Sequence, residues 1–90
     1  MGWQHIESSL STAIAKKRVA LIPFLTAGYP DHKATVDMVL GMESAGVDLV
    51  ELGIPFSDPL ADGATIQNAS FQAIKAGMTF SGCLQICAEL

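Results

Sequence analysis

Two short apolar runs with a helical pattern between them constrain this fold more than any other feature. The first run covers residues 19–25 and is apolar at every position, and the second covers residues 47–52. Apolar residues at helical spacing occupy residues 31–44, and Gly46 suits the left-handed residue that ends a helix. This order predicts two parallel strands with both faces covered, joined by a right-handed helical crossover.

Three further helices are predicted around this βαβ unit. Residues 3–17 are amphipathic, residues 64–76 form a helix that Gly77 ends, and residues 80–90 begin another. Two parallel strands bury each other poorly, and a complete (β/α)₈ barrel needs about 250 residues. The 90 residues are therefore expected to be the opening portion of a larger α/β domain, with unpaired strand edges.

Composition excludes several functional classes. The chain is 50 % hydrophobic with a net charge of −4, and its one basic cluster, residues 16–18, complements a helix dipole, which argues against nucleic acid as a partner. The longest apolar run is far shorter than the roughly 20 residues of a membrane span, and the first residues do not resemble a secretory signal. Cys83 and Cys87 fit small buried hydrophobes in a reducing compartment better than metal ligands, which predicts a cytoplasmic protein.

The connection after the second strand, residues 51–63, carries most of the candidate chemistry. Functional groups of parallel α/β folds collect at the carboxyl ends of strands, where Glu51 is expected. Because Glu51 interrupts an apolar strand, it must either pair with a cation or point into a ligand cavity. Both aspartates of the loop also have a structural alternative. Asp62 could be a helix N-cap, and Asp58 could have no role beyond shaping a turn. A stiff loop with carboxylates at a fixed separation suits general acid–base catalysis.

No competing set of catalytic residues is visible in the sequence. His5 and His32 are isolated and are expected at the surface. There is no Ser-His-Asp arrangement, no Walker loop and no G-x-G-x-x-G motif. The sequence also shows no metal-binding cluster, so the carboxylates of the loop remain the principal candidates.

The same loop carries a family resemblance. Residues 51–63, ELGIPFSDPLADG, followed by TIQ at residues 65–67, closely resemble the signature of the tryptophan synthase alpha chain. Residues 23–30, PFLTAGYP, are similar to that family's first strand and loop. Ala64 and Tyr29 depart from the family's usual proline and aspartate. The resemblance implies a TIM (β/α)₈ barrel with an extra N-terminal helix, of which residues 1–90 would form the N-terminal part, about two parallel strands plus helices.

The resemblance also implies an activity. The family is a carbon–carbon lyase of tryptophan biosynthesis, which splits indole-3-glycerol phosphate by a retro-aldol reaction into indole and glyceraldehyde 3-phosphate. Glu51 falls on its catalytic acid–base glutamate, and Asp62 on the catalytic aspartate that holds the indole N–H. Phe24 matches an aromatic residue that packs on the indole, and Ile66 matches an apolar wall of the pocket.

A partner follows from the same resemblance. Pro55, Asp58 and Pro59 match the loop that faces the tryptophan synthase beta chain, and an α₂β₂ tetramer is expected for the complete protein. No cofactor is expected in this chain, since pyridoxal phosphate belongs to the beta chain. The family's phosphate site lies in later strands, so the 90 residues alone are expected to be an inactive fragment. The alternative is a non-catalytic piece that only binds the beta chain or complements the barrel. The loop motif argues against another phosphate-sugar barrel enzyme.

Overall fold

A computed structural model describes residues 3–57 and 61–90 of the chain. In chain order the elements are α1 (Trp3–Ala15), β1 (Phe24–Thr26), α2 (His32–Ala45), β2 (Glu51–Gly53), α3 (Ala64–Lys75) and α4 (Phe80–Glu89). The strands pair in parallel, with Phe24 beside Glu51, Leu25 beside Leu52 and Thr26 beside Gly53. The βαβ unit and all four predicted helices are therefore confirmed.

Both strands are shorter than predicted, and the cause lies at their amino-terminal ends. The Leu21 N–H donates to the Asp48 carboxylate at 2.8 Å, and the Leu21 carbonyl accepts from both Asp48 and Leu49 N–H groups. Pro23 has no N–H to donate, although its carbonyl accepts from Glu51 at 2.9 Å. The two chain segments thus run together from Leu21, but a regular ladder starts only at Phe24.

Three helices end with the same pair of backbone hydrogen bonds, the Schellman motif. Its left-handed residue is Gly46 after α2 and Gly77 after α3, at φ of 95° and 101°. After α1 the same position is held by Lys17, at φ of 54°. The predicted roles of Gly46 and Gly77 are confirmed, whereas α1 ends two residues earlier than predicted because the chain turns at Lys17.

One face of the strand pair packs against the helical layer. Leu52 lies against a buried cluster in which Ala27, Cys83 and Ile86 are almost fully covered. Helix α2 packs on α4, and α3 packs on β1. Because side chains alternate along a strand, Glu51 and Gly53 face the opposite side to Leu52.

The loop after β1 is fixed by a buried hydroxyl. Thr35 Oγ1 accepts a hydrogen bond from the Gly28 N–H at 2.8 Å and donates one to the Asp31 carbonyl at 3.0 Å. The Asp31 carboxylate caps α2 by accepting from the Ala34 N–H at 2.8 Å. Gly28 has φ of 85°, and a Cβ there would lie 2.7 Å from Met78. The carboxyl end of β1 is therefore held to α2 by Thr35 and lies close to Met78, which precedes α4.

The prediction that both strand faces are covered is wrong for the described residues. Val19 is 89 % exposed and Phe24 is 46 % exposed. On α1, Ala13 is buried but Trp3 remains 66 % exposed. A strand of a parallel sheet needs neighbours on both sides and layers on both faces, and the described residues supply one neighbour and one layer.

Candidate active site

Glu51 and Phe24 are brought together at the strand pair. They are direct neighbours in the register of β1 and β2, so both side chains stand on the face away from the helical layer. The Glu51 side chain is exposed, and the described residues provide its carboxylate with neither a hydrogen bond nor an ion pair. Within the described residues, Glu51 is therefore not paired with a cation.

The nearby acidic residue Asp48 has the opposite character. Its carboxylate accepts hydrogen bonds from both terminal nitrogens of Arg18, at 2.7 and 2.8 Å, and its side chain is only 5 % exposed. The Arg18 guanidinium, together with the Leu21 N–H, lowers the pKa of Asp48 from 3.8 to about 2. The sequence pattern did not predict this ion pair, although an aspartate within an apolar run is a signal of one. Asp48 therefore links the two chain segments through the Leu21 N–H. It also binds Arg18, which is thus not paired with Glu51.

The Phe24 ring lies directly over the backbone of Gly53. A Cβ built on Gly53 would approach Phe24 Cε2 to 2.7 Å and would come closer still to Phe24 Cζ. The ring therefore leans along the sheet from β1 towards the carboxyl end of β2. Phe24 was predicted at the site from the family resemblance, but no local sequence pattern predicts its contact with Gly53, because the two residues are 29 positions apart in the chain.

Asp62 is not the N-cap of α3. The cap is Gly63, which has no side-chain hydrogen bond to the helix, and α3 begins at Ala64. The Asp62 main-chain carbonyl accepts from Gln67 Nε2 at 2.8 Å, and its side chain is exposed. The prediction that Asp62 could be a helix N-cap is therefore wrong, because its carboxylate does not cap α3.

The remaining predicted residues surround the same loop. Ile66 is half-buried on α3, whose buried residues are Ala69, Ser70 and Ala73. Pro55 is half-buried, while Asp58 and Pro59 lie outside the described residues. A cavity of about 680 Å³ between this loop and α3 is lined by Phe56, Ser57, Gln67, Phe71, Ile74 and Lys75. It contains none of the predicted catalytic residues.

The histidines and cysteines do not form a second site. His32 Nε2 lies 2.9 Å from Glu89 Oε2, so the expectation that His32 is isolated is wrong, since it links α2 to α4. Cys83 is buried as predicted, and burial raises the pKa of its thiol, but Cys87 is exposed. Within residues 3–57 and 61–90, no group of three or more potential ligands could hold a metal ion. No helix in that part of the chain is long and apolar enough to cross a membrane.

The matching family model and two similar proteins share one description. The family model described as tryptophan synthase alpha chain matches residues 10–90. A tryptophan synthase alpha chain from Dehalococcoides mccartyi is 56 % identical over 75 residues, covering 83 % of this chain and 29 % of the relative. One from Chloroflexus aurantiacus is 51 % identical over 86 residues, covering 96 % of this chain and 32 % of the relative. This chain thus spans about a third of the length of these relatives.

Solved structures agree with the sequence comparison. The crystal structure of tryptophan synthase subunit alpha from Legionella pneumophila superposes with a TM-score of 0.90 at 34 % identity, over 94 % of this chain and 32 % of that one. A tryptophan synthase complex from Pyrococcus furiosus gives a TM-score of 0.74 at 44 % identity, over 78 % of this chain and 28 % of that one. With its two parallel strands and four helices folded as part of a TIM barrel, this chain belongs to the tryptophan synthase alpha chain family.

Proposed function

We propose that these residues contribute the acid–base side of a lyase that cleaves indole-3-glycerol phosphate into indole and glyceraldehyde 3-phosphate. The observation that carries the proposal is the Glu51 carboxylate, which has no partner among the described residues and stands beside Phe24 on the face away from the helical layer. An apolar ring next to an available carboxylate suits a substrate that is itself an aromatic ring with a proton to exchange.

Glu51 is the proposed general acid and base. The reaction breaks the bond between the indole ring carbon and the glycerol chain, so the ring carbon must gain a proton and a glycerol hydroxyl must lose one. Glu51 would donate the proton to the ring carbon and help to remove the proton from the hydroxyl. A carboxylate already occupied by a cation, as Asp48 is by Arg18, could do neither readily.

Asp62 is the proposed electrostatic partner. Protonation of the ring carbon leaves positive charge on the indole nitrogen, which a carboxylate that accepts the N–H would stabilise. The Asp62 side chain is free of the capping role that its position suggests, because Gly63 starts α3. Phe24 would pack on the indole ring, and Ile66 would add an apolar wall.

The organisation of the complete protein is part of the proposal. Residues 1–90 would form the N-terminal part of one barrel domain whose later strands provide the phosphate site. The loop containing Pro55, Asp58 and Pro59 would face a tryptophan synthase beta chain in an α₂β₂ assembly, and pyridoxal phosphate would be confined to that partner. Cys83 and Cys87 are both free thiols. This supports the reducing, cytoplasmic compartment proposed for the complete protein.

A test uses a complete alpha chain that carries these 90 residues, called the complete chain below. Indole release from indole-3-glycerol phosphate is measured for the wild type and for Asp62→Asn, which keeps the shape but loses the charge. We expect kcat to fall by about 10²-fold or more, the scale of losing one preorganised electrostatic group. Asp37→Asn, at an exposed i,i+4 pair with Lys33, is the control and should retain wild-type turnover. A wild type without cleavage, or an unchanged kcat in Asp62→Asn, would overturn the proposal.

A further inference from the structure

Gly53 occupies a position where the Phe24 ring fills the space of a side chain. The two residues lie on the same face of neighbouring strands, Phe24 pairing with Glu51 and Thr26 with Gly53. Any Cβ on Gly53 would fall within 3 Å of two Phe24 ring atoms. Real Cβ atoms essentially never approach so closely, so the ring and a larger residue at position 53 cannot both keep their places.

Conformational freedom does not explain this glycine. Among the described residues, the positive-φ glycines are Gly28, Gly46 and Gly77, and Gly53 does not belong to this group. It is part of β2, and a glycine within a strand weakens the strand but often marks a place that another group approaches closely. The close group is the Phe24 ring, and the atoms nearest to Gly53 are Cε2 and Cζ, at the far end of a side chain that can rotate.

We propose that Gly53 is a positioning residue for the site: by lacking a side chain it lets the Phe24 ring lean over β2, which fixes the apolar surface beside the Glu51 carboxylate. This inference rests on the proposed function, because it takes the Phe24 ring as the surface that receives the indole. In Gly53→Ala the ring must turn off the strand. Because the clashing atoms belong to the far end of a side chain that can rotate, the substitution should move the ring more than it unfolds the protein.

The kinetic signature follows from what the ring contacts. Packing on the indole ring contributes to substrate and transition state alike, so losing it raises KM and changes kcat little. For one displaced aromatic contact we expect KM for indole-3-glycerol phosphate to rise by about three- to tenfold in Gly53→Ala. Gly41→Ala is the matched control, since nothing lies within 4 Å of a Cβ there, and its KM should equal that of the wild type.

A double-mutant cycle in the complete chain separates ring positioning from a general structural effect. The four proteins are the wild type, Gly53→Ala, Phe24→Leu and the double variant, and KM, kcat and thermal midpoint are measured for each. If Gly53 acts through the ring, adding Gly53→Ala to Phe24→Leu should change KM by less than twofold. Effects on KM that multiply, or an unchanged KM in Gly53→Ala, would overturn the inference.

Failure of this inference differs from failure of the proposed function. A wild type that cleaves no indole-3-glycerol phosphate refutes the lyase. The contact between Gly53 and Phe24 is then still decided by the thermal midpoints of the same four proteins. Gly53→Ala should lower the midpoint more in the wild-type background than in the Phe24→Leu background, where the side chain at position 24 is shorter. Equal shifts in both backgrounds would exclude the steric coupling itself.

Discussion

Replacing Lys17 by glycine should relieve strain at the end of α1. Lys17 takes the left-handed position of a Schellman motif at φ of 54°, the position that Gly46 and Gly77 hold after α2 and α3. An L-residue in that conformation costs about 1–2 kcal/mol, whereas glycine adopts it freely. Lys16, one residue earlier, still donates its N–H to the Thr12 carbonyl in the helical manner. Glycine at position 16 should therefore lower the free energy of unfolding by about 0.5–1 kcal/mol.

The comparison of Lys17→Gly with Lys16→Gly isolates the backbone effect. Each variant removes one positive charge from the same helix end and adds one glycine to the unfolded chain. Apart from a weak attraction of Lys16 to the Asp48 carboxylate, what differs is the strain at Lys17, so Lys17→Gly should be the more stable variant by about 1–2 kcal/mol. Urea unfolding of the complete chain measures this difference, with thermal midpoints separated by about 2–4 °C per kcal/mol for a domain of this family's size. Equal stabilities would refute the strain at Lys17.

Two further predictions concern acid stability and the activity of the 90 residues. Because the pKa of Asp48 is lowered to about 2 by Arg18, the stabilisation from this pair is complete above pH of about 4 and is lost as the pH falls towards about 2. Urea unfolding across that window should show a smaller loss in Asp48→Asn than in the wild type, and equal losses would contradict the pairing. The 90 residues alone should release no indole from indole-3-glycerol phosphate, because they span about a third of the relatives' length and leave Phe24 half exposed. Indole production by the purified 90-residue chain would show this to be wrong.

The helices and the parallel pair could be predicted because their signals are local. Apolar spacing identified four helices, and Gly46 and Gly77 marked where two of them end. The strand limits could not be predicted in the same way. The strand limits depend on the hydrogen bond that the Asp48 carboxylate accepts from the Leu21 N–H. This contact joins residues 27 positions apart, and no local sequence pattern encodes it.

The site was predicted from its loop, and only part of its geometry could follow. Parallel pairing was enough to place Glu51 and Phe24 on neighbouring strands. Whether Asp62 caps α3 could not be predicted from the sequence. Either Asp62 or Gly63 could be the N-cap, and the choice depends on the path of the backbone. The fit of the Phe24 ring over Gly53 arises only when both strands are in register.

The most direct test of the central claim compares two glutamate-to-glutamine variants of the complete chain. Glu51→Gln keeps the size of the side chain but cannot exchange the proton, while Glu7→Gln makes the same change at an exposed position of α1. Indole release should fall by about 10²- to 10⁴-fold in Glu51→Gln, the range for losing a general acid–base, with an unchanged thermal midpoint. Glu7→Gln should match the wild type. Near wild-type turnover in Glu51→Gln would contradict the assignment of Glu51 as the catalytic acid and base.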